Sequence, residues 1–193
     1  MKLDACIGHA ELELNMAIRL HAYLQRMHQL DSNMCVAVNH TSQYKLIRNS
    51  FRLVSRLGDG VFWYGLMTAL LCLKGAAALQ PVLHMATIGL LGTLLYKWLK
   101  GKTLRPRPYE VRQEITLAGM PLDKFSFPSG HTLHAVIFSM IALHYYPQLA
   151  LILLPFTLLV ALSRVVLGLH YPSDVLAGAL IGATLAALSI WLV

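Results

Sequence analysis

Charge is what this sequence has least of: 16 Lys+Arg and 9 Asp+Glu make up 13% of its 193 residues, about half the share of an average soluble domain. So few charged side chains cannot cover a water-facing surface, which excludes a soluble globule. Disorder is excluded as well, because a chain that is 56% hydrophobic with a mean hydropathy of +0.57 lacks the low hydrophobicity and high charge that keep segments unfolded. Cysteine is scarce. Cys6, Cys35 and Cys72 are odd in number, far apart and without a C-x-x-C pair, so neither a disulfide framework nor a thiolate metal site is indicated. The first thirteen residues carry Asp4, Glu11 and Glu13 and no long apolar run, the wrong pattern for a cleavable secretory signal. Internal repeats and low-complexity tracts are missing too.

What is present is apolar sequence in stretches of membrane-crossing length. Residues 61–79, 82–99, 129–146, 149–167 and 175–193 each approach the ~20 residues a helix needs to cross a bilayer. The expected fold is all-α: a multi-span transmembrane helical bundle of about five spans, with an amphipathic N-terminal helical region. Pro147 and Gln148 supply the turn between the third and fourth stretches. The last is uncharged and rich in Ala, Gly and Leu, which permits close helix contact. Trp63 and Trp98 are expected near one interface, and Tyr145, Tyr146 and Trp191 near the other.

Residues 1–58 read as amphipathic, interfacial helices and residues 59–193 as the transmembrane bundle. Met16, Leu20, Tyr23, Met27 and Leu30 recur at helical spacing, with Arg19 and Arg26 off the stripe. Tyr44, Ile47, Phe51 and Val54 form a second stripe opposite Lys45, Arg48 and Arg52. That helix suits either an anionic headgroup layer or packing against the bundle. Ser55 to Gly60 links it to the first span.

The net charge of +7 fits nucleic acid, an anionic lipid surface or a phosphorylated substrate, and placement decides among them. The connections after the second span, before the third and between the fourth and fifth share one side of the bilayer. They hold Lys100, Arg105, Arg107, Ser129, His131, Arg164, His170 and Asp174, several at ends of apolar helices, where charge is expensive without a role. Asp174 is the only acidic residue after Asp123. That placement leaves a membrane and an anionic lipid or phosphorylated substrate as the expected partners, with no nucleic acid.

Lys100 followed after six residues by Arg107-Pro108, then Pro128-Ser129-Gly130-His131, then Ser163-Arg164 with His170 and Asp174 beyond, resembles the three-part signature of the type 2 phosphatidic acid phosphatase (PAP2) family. All three parts occur, in order, over residues 100–174; a lone Pro-Ser-Gly-His would be unspecific. The family includes membrane lipid phosphatases and prenyl diphosphate phosphatases, and shares its core with vanadium-dependent haloperoxidases and some soluble acid phosphatases. Its membrane members usually show six spans, one more than counted here, so the N-terminal region stands in for the first.

The resemblance implies that Lys100, Arg107 and Arg164 form a phosphate cradle, a task suited to two forked guanidiniums and a mobile ammonium. Ser129 and Gly130 add the N-terminus of the third span, where free N–H groups favour an anion. His170, oriented by Asp174, would attack phosphorus to give a phosphohistidine. His131 would protonate the leaving lipid oxygen and later activate water. No cofactor or metal is called for. His131, His134, His170 and Asp174 can also be drawn as zinc ligands, against which the neighbouring cations weigh.

Arg105 and Lys102 fall outside the signature, and headgroup contact or plain solvation is expected for them. His134, Tyr109 and Arg112 are candidates for touching substrate. Two other functions remain open: a non-catalytic lipid-phosphate receptor or transporter, for which His170 would be dispensable, and vanadate-dependent peroxidase chemistry. Phosphatidate, phosphatidylglycerophosphate and undecaprenyl diphosphate all fit the residues. The expected location is the cell (inner) membrane. The excess of basic residues on the site's side, with only Lys74 clearly opposite, points to the cytoplasm, whereas bacterial relatives commonly face outward.

Overall fold

The computed structural model describes residues 2–193, apart from the side chains of residues 2–15, Ala17, Ile18, Leu20, His21 and Leu24. Leu20 of the first apolar stripe and Cys6 therefore lie outside the described side chains. Among the described residues there is no strand.

Helix α1 runs unbroken over Lys2–Asn39, a rod of about 57 Å. A turn at His40–Gln43 leads to α2, Lys45–Arg56. The next link is not a loop but a π-helical turn, Leu57–Val61, kinked where Gly60 takes a φ of 129°. It feeds α3, Phe62–Lys74, and a turn at Gly75–Ala78 reverses the chain into α4, Leu79–Thr103. A single turn, α5, Pro108–Val111, interrupts the long connection to α6, Gly130–Tyr145. A 3-10 turn at Pro147–Leu149 closes the hairpin with α7, Ala150–Val166, and α8, Pro172–Leu192, ends the bundle.

The five apolar stretches thus become α3, α4, α6, α7 and α8. Among the described residues, three segments are long and apolar enough to cross a membrane: Lys45–Val111, which contains α3 and α4, then Pro147–Val166 and Pro172–Leu192. At 16 residues α6 is shorter, and it is the helix the others surround, packing against α8, α4 and α7. Leu133, Ala135, Ile137, Ile141 and Ala142 of α6 are fully buried in the main core.

Contact between α6 and α8 is close because glycines remove the side chain where backbones meet. A Cβ on Gly178 would collide with the carbonyl oxygen of Ser129, and one on Gly182 would lie 2.6 Å from that of Leu133. This explains the small-residue composition of the last span.

Trp63 departs from the interfacial placement expected for it. It is 1% exposed, wedged among Phe62, Phe138 and Phe156 at ring-centroid distances of 5.0, 5.3 and 5.6 Å. Its position one residue into α3 aims it at the bundle interior, and aromatic packing outweighs the preference for a headgroup layer. Trp98 and Trp191 do lie exposed near opposite ends of the bundle.

The N-terminal helices touch the bundle. Phe51 and Val54 pack into core clusters, while Tyr44 of the same stripe is 60% exposed. In α1 the stripe of Met16, Tyr23, Met27 and Leu30 is exposed. A different face, Asp31, Cys35 and Asn39, is buried.

Candidate active site

Three local devices deliver the polar residues to one end of the bundle. Helix α4 stops after Lys100, where Leu104 adopts a left-handed φ of 47° and Pro106 and Pro108 bar further helix. Pro108 starts α5, and the Glu110 carboxylate accepts from Arg107 N at 2.9 Å, fixing Arg107 at the turn. At the second device, Ser129 caps α6, its Oγ accepting from Thr132 N at 3.5 Å.

The third device is the tight passage from α7 to α8. Gly168 has a φ of 72°, and a Cβ there would meet Ile115 at 2.8 Å and the Thr116 carbonyl oxygen at 2.9 Å. Only glycine fits both the conformation and the space. The turn returns Leu169 and His170 N–H groups to the Arg164 carbonyl, at 3.0 and 3.1 Å, so His170 is locked beside Arg164. Pro172 then opens α8, and the Asp174 carboxylate, in the first turn, reaches back to accept from the N–H of the capping residue Tyr171 at 2.9 Å.

These segments enclose a cavity of about 410 Å³. Lys100, Arg107, Gly130, His131, Arg164 and His170 all line it. The three cations are 6%, 1% and 1% exposed, so no salt solution screens them and each must be neutralised or hydrogen-bonded in place. Arg107 donates to the Leu169 carbonyl at 2.8 Å and the Asp123 carbonyl at 3.1 Å. Arg164 donates from Nη1 to Ser55 Oγ, and its buried Nε has no hydrogen-bond partner among the described residues.

His170 is 1% exposed, with Nδ1 3.6 Å from the Asp174 carboxylate. Burial, reinforced by Arg164 and Arg107, outweighs that carboxylate and lowers its pKa to about 4, so the ring is neutral near pH 7. Ser129 behaves differently from the other expected phosphate ligands. Its side chain is fully buried against Thr132, 3.0 Å away, and its N–H is spent on the Asp174 carbonyl at 3.0 Å. It shapes the helix start without facing the cavity, whereas Gly130 lines it.

Four further residues belong to this centre although motif reading passes over them. Asp123 bridges Lys100, at 2.7 and 2.8 Å, and Arg107, at 2.7 Å. Burial pushes its carboxyl up, but hydrogen bonding and charge from the two cations prevail and hold it below the usual range. Asp59, on the π-turn, contacts His131 Nε2. Ser126 donates to Asp174.

Arg105 is the fourth, and it corrects the expectation of headgroup contact or solvation. It binds Asp174 Oδ1 at 2.6 Å, Ser173 Oγ at 2.7 Å and Asp31 Oδ2 at 2.6 Å, and lies 4.1 Å over the Tyr171 ring. A guanidinium two residues before Arg107 points toward the start of α8, not to solvent. Lys102 is exposed, as expected.

His134 lines the cavity, tied to Thr93 at 2.9 Å and to the Gly130 carbonyl at 2.9 Å. Tyr109 packs instead in the small cluster around Cys35 and Ile115, and Arg112 pairs with Glu114 at 3.1 Å. Among the described residues no group of three or more His, Cys, Asp or Glu is arranged to hold a metal ion.

Buried cations and histidines thus converge at one end of a helical bundle whose segments are long and apolar enough to cross a membrane. The chain belongs to the PAP2 superfamily, whose profile matches residues 77–193. Phosphatidylglycerophosphatase B of Escherichia coli K12 is 26% identical over 62% of this chain and 62% of its own length, as is that of Shigella flexneri. The match therefore spans less than two thirds of these curated relatives. Among solved structures, LpxE of Aquifex aeolicus aligns with a TM-score of 0.72 at 27% identity, covering 82% of this chain and 93% of that one. A transmembrane PAP2-type phosphatidylglycerolphosphate phosphatase from Bacillus subtilis aligns at 0.64 and 25% identity, covering 86% of each.

Proposed function

We propose that the protein is an integral membrane lipid phosphatase that hydrolyses a phosphomonoester or diphosphate headgroup through a phosphohistidine. The observation that carries this reading is the convergence of Lys100, Arg107 and Arg164 around a buried, neutral His170 in one cavity. Phosphoryl transfer asks mainly for charge compensation on the equatorial oxygens and an in-line nucleophile.

In this reading Asp174 faces His170 Nδ1, leaving Nε2 as the attacking atom. The N–P bond forms as the P–O bond to the lipid breaks, and the departing oxygen takes a proton from His131, whose ring touches the Asp59 carboxylate. His131 then accepts a proton from water, which attacks phosphorus, breaks the N–P bond and releases inorganic phosphate. His170 is regenerated.

The cavity also has an apolar limb between α3, α4 and α6, lined by Trp63, Met67, Ala86, Leu90 and Phe138. Ala86 and Leu90 are exposed to the surroundings of the bundle, and α3 and α4 meet over few residues. A lipid tail entering there would bring its headgroup to the cations. The names of a curated relative and a solved neighbour favour a glycerophospholipid monoester such as phosphatidylglycerophosphate. The proposed location is the cell (inner) membrane, with the substrate taken from the bilayer.

The test is phosphate release from purified phosphatidate, phosphatidylglycerophosphate and undecaprenyl diphosphate in detergent, without added metal. Turnover of at least one lipid, abolished by His170→Ala, is expected. A preference of about tenfold, worth ~1.4 kcal/mol in the transition state, identifies the substrate. Full turnover by His170→Ala would remove the phosphohistidine reading, and binding without turnover in the unaltered protein would point to a receptor or transporter.

A further inference from the structure

Helix α1 lies outside the residues matched by the family profile, yet one face of it runs along the segment that carries His170. Asp31, Cys35 and Asn39 are spaced four apart and so stack on one side of the helix. They are 9%, 0% and 2% exposed. Asn39 donates to the Val166 carbonyl at 2.9 Å and the Thr116 carbonyl at 3.0 Å, and accepts from Thr116 N at 2.8 Å. Cys35 Sγ lies 3.7 Å from the His170 carbonyl. Asp31 accepts from Ser173 N at 2.9 Å, from Ser173 Oγ at 2.5 Å and from Arg105 Nη2 at 2.6 Å.

The last of these contacts does more than fasten the helix. Arg105 uses Nη1 on Asp174 and Nη2 on Asp31, so one planar cation is shared between two carboxylates. Asp174 in turn faces His170. We propose that Asp31 and Arg105 are positioning residues that set the orientation and effective charge of Asp174 against His170, making the second half of α1 part of the catalytic apparatus. This rests on the phosphohistidine reading for its catalytic meaning but not for its geometry. Without Asp31, Arg105 would direct its whole charge to Asp174 and weaken the carboxylate's hold on the imidazole. Without Arg105, Asp174 would act on His170 undiluted.

The charged and titratable groups facing His170 are Asp174 from α8, Arg164 from α7, Arg107 before α5, His131 from α6 and the Cys35 thiol from α1. None of these is itself replaced in the Asp31 and Arg105 variants. The His170 titration, followed by 15N-histidine NMR of the full chain in detergent, should move down by roughly half a unit or more in Asp31→Asn and up in Arg105→Gln. In the Arg105→Gln background, Asp31→Asn should lose most of its effect. An equal shift in both backgrounds would mean that Asp31 acts without Arg105, and no shift in either would reduce it to an anchor; both outcomes overturn the proposal.

The titration needs no substrate, so it is decided even if no lipid phosphate is turned over. Should Asp31→Asn fail to fold, Arg105→Lys keeps the charge but cannot span two carboxylates. It should then lower kcat about tenfold while KM stays within about twofold, since the cradle is untouched. Unchanged kcat in that variant would contradict the relay.

Discussion

At the scale of single residues, the centre is governed by charges that have nowhere else to go. Lys100 and Arg107 are buried and share the Asp123 carboxylate. In the proposed reaction a substrate phosphate would have to take over the donors that this carboxylate engages, so Asp123 would both neutralise the two cations and compete with their ligand. Asp123→Asn should therefore tighten inhibition by inorganic phosphate about three- to tenfold, measured as Ki; a weaker Ki would make Asp123 an organiser of the cradle instead. The depressed pKa of His170, about 4 against ~6.5 for a free imidazole, gives a second expectation. Because the folded state resists protonating this ring, kcat/KM should persist down to about pH 5 and fall toward pH 4. Stability follows the same sign: the unfolded chain binds the extra proton between these values, so stability drops as pH falls through that window and levels off below it. A kcat/KM limb near 6.5 would contradict the burial of His170. Lys100, Arg107, Gly130, His131, Arg164 and His170, which line one cavity, could be picked out in the sequence because their spacing resembles a family signature. Asp123, Asp59 and Asp31 could not, since a carboxylate in a loop, a kinked turn or a helix has no motif of its own, and only the fold brings each beside its cation or imidazole.

At the scale of elements, the site is a set of helix ends, and what holds the ends in register is close packing. The start of α6 is pinned to α8, because the Ser129 N–H donates to the Asp174 carbonyl and Gly178 lies against the Ser129 carbonyl. Gly178→Ala should cost about 1–3 kcal/mol through overpacking, seen as a lower thermal midpoint in detergent, and should reduce activity by displacing His131. Gly65, where an added Cβ would meet nothing within 4 Å, should tolerate alanine without loss; equal destabilisation at both positions would refute the role of close packing. The helices themselves were readable from apolar runs, and two of their boundaries from Pro147 and Ser129. The fate of α1 was not. Its exposed stripe of Met16, Tyr23, Met27 and Leu30 dominates the sequence pattern, whereas the buried face of Asp31, Cys35 and Asn39 reads as polar surface until the partners on the 166–173 segment are seen. The burial of Trp63 is hidden for a similar reason, as its interior neighbours Phe138 and Phe156 are remote in sequence.

At the scale of the whole molecule, one cavity joins a cationic end to an apolar limb lined by residues of α3, α4 and α6. In the proposed reaction headgroup and tail would be recognised by different parts of the bundle, and the two can be separated experimentally. Ala86→Trp, which fills the apolar limb without touching the cations, should lower kcat/KM for a long-chain lipid phosphate about tenfold while changing that for a short, water-soluble phosphate ester less than about twofold. Equal losses on both would place the tail elsewhere. The central claim, however, concerns where the phosphoryl group goes. Rapid acid-free quenching of the reconstituted protein with a radiolabelled lipid phosphate, followed by peptide mapping, tests it directly. A phosphohistidine mechanism predicts a transient base-stable, acid-labile phosphate on the peptide containing His170, accumulating further in His131→Ala and absent from His170→Ala. Label on another residue, or steady turnover by His170→Ala, would contradict it.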